Sequence, residues 1–304
     1  MSIPDYQSLM LPVLRAVADR EEYTVAAIRA NTAAALGLSA DELAERLASG
    51  TQAVFANRIG WAVQYLKAAG VIRAVRRGVY QVTDRGLDLL ATRPPELSVK
   101  ALRRYPEFLE FLARAAGNPS AGTVAAPVNE NKATPEELLE SSFKELRLAL
   151  TRDLLDQVSN GSPAAFEQIV VDLLVAMGYG GSVEDAGKVV GRSGDGGIDG
   201  VIKQDKLGLD VIYIQAKRWK DNVGSPEVMK FSGSLTKRHA SRGVFITTSS
   251  FTKDAMDFVE SMPQKIVLID GLQLASLMIE HNVGVAPAKS YTIKRIDQDY
   301  FDNL

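Results

Sequence analysis

The chain has 304 residues, of which 46% are hydrophobic and 24% charged, with a formal net charge of −2; that is material for two folded domains of ordinary soluble composition. It has no cysteine and only two histidines, His239 and His281. Disulfides and thiolate zinc sites are thereby excluded, and any metal is expected to be a hard cation held by oxygen ligands. No run of about 18 apolar residues occurs, and MSIPDYQSLM lacks the basic-then-apolar plan of a signal peptide. The expectation is a cytoplasmic protein with no membrane partner.

Leu9, Val13, Leu14 and Val17 recur at helical spacing, and Val25, Ile28 and Leu36 indicate a second helix. Ser39 opens a third, with Asp41 and Glu42 in its first turn. A fourth helix runs over roughly 52–69 and stops at Gly70. Two β-rich runs follow, VIRAV and VYQVT, separated by Arg76, Arg77 and Gly78, and a last helix starts near Thr83. This is the plan of a winged helix-turn-helix, which lays one helix in the major groove and touches phosphates with its wing. Gln52, Asn57 and Arg58 near the start of the fourth helix, and Arg76 and Arg77 in the wing, are the expected DNA contacts. Trp61 reads as core.

Residues 94–134 are expected to form a linker between a domain at 1–93 and one at 135–304. AAGNPSAGTVAAPVNENKAT lacks periodicity, although Arg104 to Ala115 has helical character. A helix over 135–158 is marked by Leu139, Phe143, Leu146, Leu150 and Leu154. Beyond 162 the pattern turns α/β. Ser162-Pro163 starts a helix with Phe166, Ile169, Val170, Leu173, Leu174 and Met177 on one stripe. Strands are expected at 198–202, 211–217, 243–248 and 265–269, and helices near 225–237, 252–260 and 271–280. Residues 213–242 hold seven Lys/Arg against two Asp/Glu, the local basic patch expected of a DNA binder.

Along VIYIQAK, Val211, Tyr213, Gln215 and Lys217 share one strand face, and Ile212, Ile214 and Ala216 the other. Antiparallel pairing with the preceding strand brings Asp199 beside Gln215 and Lys217. An acid, an amide oxygen and a lysine suit phosphodiester hydrolysis. Asp199 and the Gln215 amide oxygen can hold Mg²⁺, with Mn²⁺ as a substitute, and Lys217 can hold the attacking water or stabilise the pentavalent phosphate. Glu167, beside the apolar stripe of the preceding helix, can complete the metal shell. Asp195, in a glycine-rich loop, is a further candidate. Thr247 and Thr248 are either phosphate contacts or polar strand-end residues.

Asp199 followed by Gln215-Ala216-Lys217 resembles the D…(D/E/Q)xK pattern of the PD-(D/E)xK nuclease superfamily, in its QxK branch. FEQIVVDLLVAMGYGG, GDGGIDGVI, QAKRW and GVFITTS are similar to the catalytic domain of Mrr-type restriction endonucleases. NRIGWAVQYLKAAG and GVYQVTDRG resemble the Mrr N-terminal winged helix. The resemblance covers nearly the whole chain except the linker. It implies an α/β protein: an N-terminal winged helix-turn-helix plus a C-terminal restriction-endonuclease-like mixed sheet flanked by helices. It also implies a Mg²⁺-dependent type IV restriction enzyme that cuts methylated or otherwise modified foreign double-stranded DNA. Gln215 departs from the commoner acidic ligand and removes one negative charge from the expected metal site. A repair nuclease or junction resolvase of the same fold, and a non-catalytic DNA-binding regulator, are the alternatives. Because a double-strand cut needs two active sites or two sequential events, a homo-oligomer is expected.

Overall fold

A computed structural model of the chain describes residues 2–115, 132–180, 198–204, 210–294 and 296. The chain divides into two units, Met1–Lys144 and Glu145–Leu304. Among the described residues no helix is long and apolar enough to cross a membrane.

In the first unit, α1 (Tyr6–Arg15) is capped by Asp5, whose carboxylate accepts from the Gln7 and Ser8 amides, and it buries Leu9, Met10, Val13 and Leu14. After β1 (Tyr23–Thr24), Thr24 caps α2 (Val25–Leu36). Ser39 and Glu42 form a reciprocal capping box on α3 (Ala40–Ala44). The fourth helix, α4 (Val54–Ala68), buries Phe55, Ile59, Ala62, Val63 and Leu66. Strands β2 (Ile72–Arg76) and β3 (Val79–Val82) pair antiparallel and β1 joins them, giving the order β1-β3-β2. Gly78 has φ +68°, so the wing tip needs a residue at ease in the left-handed region. Helix α5 (Asp84–Ala91) follows. These are the parts of a winged helix-turn-helix, as expected.

The expected linker reads differently in its first half. Residues beyond 93 fold as α6 (Val99–Leu102) and α7 (Pro106–Ala115). Leu97, Val99, Leu102 and Phe108 are buried in the same core as α1 and α4. The Phe108 ring stacks on Phe111 and lies 5.6 Å from Tyr65 of α4. Burial of these apolar side chains, not sequence punctuation by proline, decides where this core ends. Residues 116–131 lie outside the described residues.

Helix α8 (Pro135–Asn160) crosses the division of the chain. In the first unit its start is fastened to α4 by side chains. Thr134 and Glu137 cap one another, through Thr134 N–H to Glu137 (2.7 Å) and Glu137 N–H to Thr134 Oγ1 (3.3 Å). Thr134 Oγ1 also donates to Asn57 Oδ1 (2.7 Å), Arg58 Nε donates to Glu137 (2.8 Å), and Trp61 Nε1 donates to Glu136 (2.7 Å). Glu140 accepts from the amides of Ala48 (2.7 Å) and Ser49 (3.1 Å).

In the second unit the sheet order is β4-β5-β6-β7: β4 (Gly200–Lys203), β5 (Val211–Lys217), β6 (Arg242–Thr247) and β7 (Lys265–Ile269). The first pair is antiparallel and the other two are parallel, so the sheet is mixed. Parallel neighbours need crossovers, supplied by α10 (Ser225–Lys237) and α11 (Lys253–Glu260). Alternation along β5 sorts its side chains onto two cores. Ile212 and Ile214 pack with Phe166, Val170, Leu173 and Leu174 of α9 (Pro163–Ala176), with the end of α8, and with α12 (Gly271–Glu280). Tyr213 packs with Phe245 and with Val228, Phe231 and Leu235 of α10. Helix α12 starts hard against the sheet, where a Cβ on Gly271 would meet the Thr248 carbonyl oxygen at 2.3 Å.

Because Phe108 is fully buried, Phe108→Ala is expected to destabilise the first unit by about 3–5 kcal/mol. Equilibrium denaturation of the full chain measures it, and a change near zero would return residues 97–112 to the linker.

Candidate functional site

Strand β4 begins at Gly200, opposite Ile214, so β5 runs three residues past the paired stretch, to Lys217. The Gly200–Ile214 register sets Asp199 opposite Gln215. The Asp199 N–H donates to Ile214 O (2.8 Å), extending the ladder by one bond. Farther along β5, the Asp199 side chain itself supplies the acceptor. Its Oδ2 accepts from the Ala216 N–H (2.8 Å) and from Gln215 Nε2. A buried amide without an acceptor is costly, so Asp199 is both a ladder substitute and a charge held at the sheet end. Gln215 is 3% exposed, and its amide is satisfied by that carboxylate.

Glu167, on α9, shares a pocket with Asp199, Gly200, Ile214, Ala216, Val170 and Val171. Burial pushes the Glu167 carboxyl above the usual range, and the negative charge of Asp199 raises it further. Glu167 and Asp199 in this pocket, with the Gln215 amide bound to Asp199, are oxygen donors of the kind a hard divalent cation takes. Among the described residues no three His, Cys, Asp or Glu side chains converge on a metal position, so such an ion would rest on Glu167, Asp199 and the amide oxygen of Gln215. The amide presents its nitrogen to Asp199 and would have to rotate to offer oxygen.

Lys217 ends β5. Its carbonyl accepts from Thr247 Oγ1 (2.9 Å) and the Thr248 N–H (3.3 Å), and Thr248 Oγ1 donates to Trp219 O (2.9 Å). Thr247 and Thr248 are thus buried ties between the ends of β5 and β6, not phosphate contacts. The Lys217 ammonium lies 4.0 Å from a Glu227 carboxylate oxygen and 5.2 Å from the centroid of the Trp219 ring. Neither neighbour was singled out by sequence reasoning. Glu227 carried only the signal of a helix start, and Trp219 only its place after QAKR. Asp195 lies outside the described residues.

On the winged helix the structure separates the expected DNA contacts. Asn57 is 4% exposed and bound to Thr134. Arg58 donates to the Ile3 and Pro4 carbonyls and pairs with Glu137. Both are committed to internal hydrogen bonds, which corrects their expected role. Gln52 and Arg77 are exposed, and Arg76 is exposed beside Glu22, 3.6 Å away. The exposed residues of α4 that sequence reasoning passed over are Gly60, Gln64 and Lys67, spaced i, i+4, i+7 along one face.

The raised Glu167 carboxyl has a consequence for stability. A carboxyl raised in the folded state contributes stability that is full below the ordinary glutamate range and is lost as pH rises through its raised value. In metal-free buffer, wild type is therefore expected to lose ground to Glu167→Gln across that window, as read by melting temperature against pH. In an Asp199→Asn background the loss should shrink but persist, because burial is the larger cause. A pH-independent difference would contradict the shift.

Comparison with known proteins identifies the family. Residues 158–278 match a family model described as a restriction endonuclease, and residues 6–92 match the Mrr N-terminal domain. The chain is 40% identical over 309 residues to the type IV methyl-directed restriction enzyme EcoKMrr of Escherichia coli (strain K12), covering 99% of this chain and 100% of that one. Two solved structures are also similar, each over 68% of this chain. They are the MspJI restriction endonuclease in complex with a 27-mer oligonucleotide (20% identity, TM-score 0.32) and the DNA modification-dependent restriction endonuclease AspBHI (18% identity, TM-score 0.36). The matches cover 49% and 52% of those chains, so this chain spans about half the length of each. On the near-full-length identity and the two family matches together, the chain belongs to the Mrr family of restriction endonucleases.

Proposed function

We propose that this chain cleaves modified foreign double-stranded DNA by Mg²⁺-dependent phosphodiester hydrolysis, with Asp199, Gln215, Lys217 and Glu167 as its catalytic residues. The observation that carries this reading is the constellation at the ends of β4 and β5: Asp199 held against Gln215 and Ala216, with Lys217 next along the strand. The methyl-directed activity named for the Escherichia coli relative supports modified DNA as the substrate. Glu167, Asp199 and Gln215 would hold a Mg²⁺ ion, which when bound would supply Lewis acidity to water and to the scissile phosphate. Asp199 and Glu167, which line one pocket, would orient the attacking water by accepting its hydrogen bonds. Lys217 places a fixed positive charge where negative charge develops on the phosphate oxygens. Cutting both strands needs two such sites or two events, which favours a homo-oligomer. The reaction is assigned to the cytoplasm.

DNA is held first by the winged helix: Arg76 and Arg77 on phosphates, with Gln52 and the exposed face of α4 toward the groove. Arg76→Ala and Arg77→Ala are each expected to flatten the log–log salt dependence of binding by about one unit. If both leave slope and affinity unchanged, the wing does not contact DNA.

Purified protein incubated with methylated or unmethylated plasmid, with Mg²⁺ or EDTA, tests the activity. Cleavage confined to methylated plasmid plus Mg²⁺ is the expected outcome. Lys217→Ala is expected to lose roughly 10²–10³-fold in rate. Asp199→Asn is the cleaner acid substitution, because its amide oxygen still accepts the Ala216 N–H while the charge is gone. It should abolish cleavage and leave DNA binding intact or tighter. Gln215→Glu restores an acidic ligand and should remain active. A folded, inactive Gln215→Glu would mean that the hydrogen bond from its amide to Asp199 is itself required. Near-wild-type cleavage by Lys217→Ala or Asp199→Asn would overturn the assignment.

A further inference from the structure

Different parts of the fold hold the backbone and the ammonium of Lys217. The carbonyl is fastened to β6 through Thr247 and Thr248, which fixes where the side chain leaves β5. The ammonium then meets the Glu227 carboxylate at 4.0 Å on one side and the face of Trp219 on another. Glu227 sits in the first turn of α10, where the helix dipole favours a carboxylate. Lys217 and Glu227 are 27% and 31% exposed, so solvent screens their attraction less than it would an open surface pair. A lysine stem left alone samples many rotamers. A charge misplaced by 1 Å from its working position can cost a reaction about 10²-fold.

We propose that Glu227 is a positioning residue for DNA cleavage: with the Trp219 ring it holds the Lys217 ammonium in place at the end of β5. Glu227 acts through Lys217 and touches neither metal nor phosphate. This rests on the catalytic assignment of Lys217, and Lys217→Ala alone tests that assignment.

The experiment follows single-turnover cleavage of methylated plasmid by saturating full-length protein, with DNA affinity measured in EDTA and the rate titrated with Mg²⁺. Glu227→Ala and Glu227→Gln are expected to slow cleavage by roughly 10- to 100-fold. DNA affinity should not weaken, and the Mg²⁺ concentration giving half-maximal rate should not move. Glu227→Asp keeps the charge and should recover part of the loss, which a merely structural role would not produce. The Lys217→Ala/Glu227→Ala double variant should be no slower than Lys217→Ala, because the second change removes a partner that is already idle. Should Glu227→Ala fail to fold, Glu227→Gln, of the same shape, carries the comparison. A wild-type rate in both Glu227→Ala and Glu227→Gln, additive losses in the double variant, or a raised Mg²⁺ requirement would each overturn the proposal; the last would make Glu227 a metal ligand instead. A wild-type rate in Lys217→Ala would overturn the catalytic assignment and this inference with it.

Discussion

The second unit turns on one carboxylate that completes a β-ladder. Just before β4 begins, Asp199 Oδ2 accepts from the Ala216 N–H and the Gln215 amide where β5 runs past its antiparallel partner. Strand pairing and the charge constellation are therefore the same set of hydrogen bonds. A slip of one residue between β4 and β5 would send Asp199 to the opposite face from Gln215. Two apolar cores oppose that slip: Ile202, Ile212 and Ile214 are buried on one side, and Tyr213 and Phe245 pack on the other. Helix α9 uses the same packing to carry Glu167 to the pocket edge, because Phe166 and Val170 anchor the helix on either side of it.

Much of this was legible in the sequence wherever the signal was local. Strands 211–217 and 265–269 and helices 225–237 and 271–280 occupy the residues that periodicity and capping indicated. Asp199 and Gln215 meet because side chains alternate along strands and the pairing is antiparallel, both of which follow from pattern. What stayed hidden depends on partners far away in the chain. Asn57 and Arg58 look like groove contacts until Thr134 and Glu137, 77 and 79 residues later, take them up. The segment after 93 looked like linker because AAGNPSAGTVAAPVNENKAT, in its second half, lacks periodicity. Yet Leu97, Leu102 and Phe108 find the first core regardless. Glu227 was invisible for a related reason: a glutamate in a first helical turn already has a sufficient local explanation.

A net charge of −2 conceals how the charges are deployed. Acidic side chains at the start of α8 are spent on α4 and on the Ala48–Ser49 amides, while the arginines of the β2–β3 turn stay at the surface. In the second unit Asp199, just before β4, and Glu167 of α9 share one pocket, while Lys217, Arg218 and Lys220 follow one another at and beyond the end of β5. Such a chain recruits a polyanion through local fields rather than through its total charge.

The fastening of α8 to α4 bears on how this family diversifies. Asn57, Arg58 and Trp61 each lean on one residue between 134 and 137. A lineage that exchanges Arg58 for a neutral side chain strands the half-buried Glu137, and one that exchanges Glu137 strands the guanidinium. The two positions are therefore expected to drift together or not at all. Gly60, Gln64 and Lys67, exposed along α4, take no part in that pairing, so exchanges there leave it intact.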